Sequence, residues 1–102
     1  MPIQLPSRLL ARTGLSVLEG ELIGEQASAL GRAGREVETA MGALHAFEGA
    51  PDAAERRALV RAAARAVWAY WVQREACGLL DHRQVIREHR IPREVLNRLG
   101  AG

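Results

Sequence analysis

Cys77 and His82 stand five residues apart, the pairing of thiol and base that nucleophilic catalysis needs. A working nucleophile also needs a third group to orient the base and donors for an oxyanion, and nothing nearby in the chain offers either. The pair therefore predicts a small buried thiol at a helix end and a solvated histidine. His82 and His89, seven apart with Asp81 and Glu88 beside them, could share a helical face. Helical metal ligands stand three or four apart, however, and no H-E-x-x-H or E-x-x-H motif occurs. His45 reads as a packed or rim side chain. The residues thus name no catalytic group, no metal ligand and no cofactor site, and the expectation is a protein that is not an enzyme.

Two further groupings could bind rather than react. Arg57, Arg61 and Arg65 repeat at four-residue spacing, so on a helix they form one basic stripe. That stripe could be an anion track, but a solvated face answered by glutamates is the plainer expectation. Trp68, Tyr70 and Trp71 read as core or as an interface between copies, since one helix cannot bury rings on so many sides by itself. A small apolar ligand between helices near Trp68 and Trp71 stays open. The segment Gln84–Leu99 reads loosely as helix, turn, helix, with Arg93, Asn97 and Arg98 on the outer side as alternative nucleic-acid contacts. Against that, Arg90 stands where a glycine would suit the turn, and Glu88 and Glu94 would face phosphate.

These side chains need elements to position them. Ser16 with Glu19 has the S-x-x-E form of a capping box. The positions Ser16, Gly20, Ile23, Ala27, Leu30, Gly34, Val37, Met41 and Leu44 then recur at alternating spacings of four and three, a heptad seam in which small and large residues alternate. Gly49-Ala-Pro-Asp52 reads as a turn with Asp52 as the next N-cap, and Gly78 as a helix stop. Asp81 caps a short helix, Pro92 opens another and Gly100 follows it. The reading is an arm over 1–14, helix one over 15–48, helix two over 52–77 and short helices over 81–99. Centring the turn near Gly49 brings Trp68 to Gly31, Tyr70 to Ala29 and Trp71 to Ser28, with Arg61 by Glu38 and Arg74 by Glu25.

Composition supports a single helical domain. The 102 residues are 48% hydrophobic but only 4% aromatic, rich in alanine, with 14 basic residues, all arginine, against 12 acids. The charge of +2 is too small to argue for nucleic acid. A single cysteine allows no internal disulfide, so a reducing, cytoplasmic setting is expected. Arg8 and Arg12 interrupt any secretory h-region, and the apolar run Ala66–Val72 falls far short of the ~20 residues a membrane span needs, so no membrane role is expected.

The stretch Val67-Trp-Ala-Tyr-Trp-Val-Gln-Arg-Glu-Ala-Cys-Gly-Leu79, followed by Asp81-His-Arg83 and Ile91-Pro-Arg-Glu-Val-Leu96, resembles a family of small bacterial helical proteins without an assigned function. The likeness extends from Leu18 onward and includes Leu30-Gly-Arg-Ala-Gly34. It implies a bacterial source and a helical fold, and carries no functional residue onto this chain.

The combined expectation is an all-α fold. A long antiparallel helical hairpin is followed by two short C-terminal helices, and it dimerises into a four-helix bundle. The chain would be a non-catalytic, self-associating interaction module. Gly20, Ile23, Ala27, Leu30, Gly34, Val37, Met41, Trp68, Tyr70 and Trp71 are its interface candidates. A small DNA-binding protein using the C-terminal tail is the alternative.

Overall fold

The computed structural model describes residues 14–101, with side chains from residue 16; the expected N-terminal arm lies outside them apart from its last residue. Four helices follow in order: α1 (Gly14–Ala46), α2 (Ala54–Ala76), α3 (Arg83–His89) and α4 (Arg93–Leu96). Among the described residues there is no strand. α1 and α2 form the antiparallel hairpin, and the segment carrying α3 and α4 folds back along it.

The core follows the predicted periodicity in its inner half. Val37, Met41 and Leu44 of α1 pack with Val60, Ala63, Ala64, Val67 and Trp71 of α2, both sets spaced by threes and fours. Val85, Ile91 and Val95 of the tail complete the cluster. Val37, Val67 and Val95 are fully buried, so the tail is part of the core and not an appendage to it.

Several sequence-based expectations are corrected. α1 starts at Gly14, so Ser16 lies inside the helix and cannot be its cap. Asp52 is not the N-cap of α2: that position is Ala53, without a side-chain cap, and the Asp52 carbonyl instead accepts a hydrogen bond from Arg57. Pro92 sits at the cap of α4, one place before its first residue. The hairpin register also differs. A Cβ added at Gly34 would touch the Tyr70 ring at 3.4 Å, whereas one at Gly31 would meet only the Arg35 guanidinium. Tyr70 therefore does meet a glycine, but Gly34 in place of the neighbourhood of Ala29, a slip of about five residues or ~7.5 Å along the helix. The cause is the connection Phe47–Ala53, which is not the symmetric turn assumed and carries the first turn of α2 past the end of α1. The expected pairs Arg61–Glu38 and Arg74–Glu25 are absent among the described residues, whose ion pairs are Arg56–Glu94, His82–Glu75 and Arg83–Asp81.

The stops behave as read. Gly78 (φ +84°) takes the left-handed conformation that ends α2, and Gly100 (φ +75°) takes it three residues past the Asn97 cap of α4. Asp81 is not the N-cap of α3: that position is His82, without a side-chain cap, and Asp81 one residue earlier accepts the Arg83 N–H at 3.0 Å as an Asx turn does. Arg90 takes φ +50° at the end of α3, where a glycine would bear less strain.

Candidate functional site

The residues first considered for chemistry are engaged in holding the tail. Arg74 leaves α2 beneath the loop before α3 and donates from Nε to His82 Nδ1 at 3.0 Å and from a terminal nitrogen to the Asp81 carbonyl at 2.8 Å. An arginine only donates, so Nδ1 of His82 must be the acceptor and Nε2 carries the hydrogen. That Nε2 lies 2.9 Å from Glu75 Oε2, which accepts. The imidazole is stacked on Trp71, with ring centroids 4.1 Å apart and planes 12° from parallel. His82 is thus half-buried and fully engaged, not solvated, and has no free lone pair to act as a base. Cys77 is likewise corrected: its thiol is exposed, because Gly78 turns the chain away from the core there. His45 sits on the rim with Nε2 3.0 Å from the His89 carbonyl, joining the hairpin to the end of α3.

A second latch holds α4. Arg56 donates both terminal nitrogens to the Glu94 carboxylate, one at 2.8 Å. The bidentate guanidinium holds the Glu94 carboxyl below its ordinary range, against a smaller opposing effect of burial. Asp81 is held far lower still, first by the Arg83 guanidinium and then by the Arg83 N–H.

The interface candidates separate into groups. Val37 and Met41 are buried by α2 and the tail and leave no surface for a second copy. Trp71 is buried beneath His82, while Leu30, Gly34 and Tyr70 are half-buried. Trp68, expected to pack near Gly31, is instead 50% exposed, with its ring edge 3.8 Å from the place a Cβ on Gly100 would occupy. Gly20, Ile23 and Ala27 are exposed.

The geometry around these last three is the distinguishing feature of the molecule. The register that sets Tyr70 against Gly34 places Ala76, the end of α2, opposite Ser28, so the fourteen residues of α1 before Ser28, about 21 Å of helix, have no counterpart on α2. Over that length Val17, Leu18, Leu22 and Ile23 are each more than half exposed. Val17, Leu18 and Leu22 were not singled out by the seam. The adjacent pairs Val17-Leu18 and Leu22-Ile23 widen the stripe beyond the a and d positions, and that signal was present in the sequence.

The tail residues considered as nucleic-acid contacts, Arg93, Asn97 and Arg98, are all exposed. α4 is a single turn, Asn97 lies beyond it, and Arg98 lines a cavity with Arg61 and Arg65 of α2. A family model described as a family of unknown function (DUF6665) matches residues 4–102. The chain belongs to that family. The resemblance read in its C-terminal half therefore holds, and it covers more of this DUF6665 chain than Leu18 onward. No curated protein and no solved structure matches it. No helix among the described residues is long and apolar enough to cross a membrane.

Proposed function

We propose that the chain is a non-catalytic helical module that pairs with a second copy through the outer half of α1. One observation carries the reading: Val17, Leu18, Leu22 and Ile23 stand exposed together on a stretch of helix that α2, α3 and α4 do not reach among the described residues. Each apolar side chain left in water forgoes about 1.5–3 kcal/mol of burial, so four neighbours on one helix favour a partner. The occupant is a second copy because the heptad that fills the inner core runs unbroken into this stretch as Gly20, Ile23 and Ala27. The same alternation of small and large residues on a facing helix would interlock with it, as the inner half interlocks with α2. Two hairpins joined in this way contribute four long helices to the dimer, α1 packed on α2 within each copy and α1 against α1 between them.

The engagement of both His82 ring nitrogens, which leaves Cys77 without that base, supports the non-catalytic part of the reading. The resemblance and the lone cysteine support a bacterial cytoplasm as its setting. Sedimentation velocity on the chain and on Leu22→Asp/Ile23→Asp tests it. A dimer that the double substitution converts to a folded monomer is expected. A variant that sediments as the parent does would overturn the interface.

A further inference from the structure

Beside α2 lies a cavity of about 250 Å³ lined by Arg61, Ala64, Arg65, Trp68, Arg98, Gly100 and Ala101. Its construction draws on two parts of the chain. Arg61 and Arg65 are one turn apart on α2, while Arg98 arrives from the turn after α4. The left-handed Gly100 then brings the chain against the edge of Trp68. No carboxylate lines the cavity among the described residues, and none of its three guanidiniums has a hydrogen-bond or ion-pair partner there. Arg56, Arg57, Arg74 and Arg83, by contrast, are each engaged within the chain. Arg61 and Arg65 already repel at their four-residue spacing, and folding the tail adds a third cation. Such an arrangement is relieved by an external anion.

The remaining wall states what the anion is attached to. Most of the lining is apolar, and Trp68 keeps half its surface open, so a flat apolar body can lie on the indole while oxygens meet the guanidiniums. The volume lies just below the ~300–1,000 Å³ usual for ligand pockets and fits a single ring with one acidic head. We propose that this cavity is a binding site for a small aromatic oxyanion, a monocyclic phosphate ester or carboxylate. Arg61, Arg65 and Arg98 share its charge and Trp68 stacks on its ring. The site is independent of the outer half of α1, which no residue of the cavity adjoins in sequence.

Phenyl phosphate, benzoate and inorganic phosphate are the probes, each titrated into the full chain labelled with ¹⁵N. The two tryptophan indole and the arginine Nε–H resonances are followed, assigned with Trp68→Phe and single arginine variants. Saturable shifts of Trp68, Arg61, Arg65 and Arg98 are expected with either aromatic anion, while Trp71 and Arg56 stay in place. Phenyl phosphate should bind at least about tenfold more tightly than inorganic phosphate, and Arg61→Gln/Arg65→Gln should weaken it by at least about tenfold. Arg57→Gln, on the same stripe but outside the cavity, should leave the affinity unchanged. Drift without saturation across all arginines, equal affinity for inorganic phosphate, or undiminished binding in the double variant would overturn the site.

Discussion

His82 shows how a side chain of catalytic type is spent on structure. Its stack on Trp71 and its bonds to Arg74 and Glu75 predict that His82→Ala lowers stability by about 2 kcal/mol in urea denaturation, through the lost aromatic contact and the unpaired Arg74. Arg74→Ala combined with it should cost less than the two singly, since both remove the same bond. Full additivity would mean that the network is not a unit. Glu94 gives a pH signature. Its folded carboxyl titrates below its ordinary value of 4.5, so the latch to Arg56 contributes stability above that value and loses it as pH falls through the lower folded one. Glu94→Gln should lower the melting temperature at neutral pH by the small amount an exposed pair contributes and converge with the parent as pH falls below about 4.5, so that its acid limb is flatter. An unchanged acid limb would show that this carboxylate does not hold the tail. At this scale the sequence was a poor guide. It presented Cys77 and His82 as neighbours, but whether each is buried depends on Gly78 turning the thiol outward and on Trp71 receiving the imidazole, contacts that residue spacing does not encode.

The helices themselves were legible because their signals are local. The three–four spacing of Val37, Met41 and Leu44 and the glycine at position 78 set the inner seam and the stop of α2. The hairpin register was not legible, because it depends on the path of Phe47–Ala53, where Asp52 looks like a cap and is not one. The matching of bulky to small residues survived the shift, with Tyr70 against Gly34. Two substitutions test the elements. Met41→Ala, at a position only 2% exposed, should cost about 2–5 kcal/mol in chemical denaturation; a loss under 1 kcal/mol would mean that the site is less tightly packed. Arg90→Gly should instead raise stability by roughly 0.5–1 kcal/mol, because φ +50° burdens a side chain that glycine lacks. A lower melting temperature would show that the Arg90 side chain contributes more than its backbone costs.

For the whole molecule the unequal helices matter most. The tail returns over α2 and fills the inner core, so the described residues complete one half of the seam and leave the other half open around Leu22 and Ile23. Glu19, Glu21 and Glu25 lie along that open half, and pairing two copies there brings like charges together. Salt screens such repulsion and does not weaken apolar contact, so the dimer should hold or tighten as ionic strength rises. A dimer held by Glu19, Glu21 and Glu25 against the arginines of the other copy would loosen instead. Absolute molar mass by light scattering after size exclusion, at low and at high salt, is the most direct measurement of the central claim. Twice the mass of one chain, retained or reached at high salt, is the result predicted; a single-chain mass at every salt and concentration would contradict it.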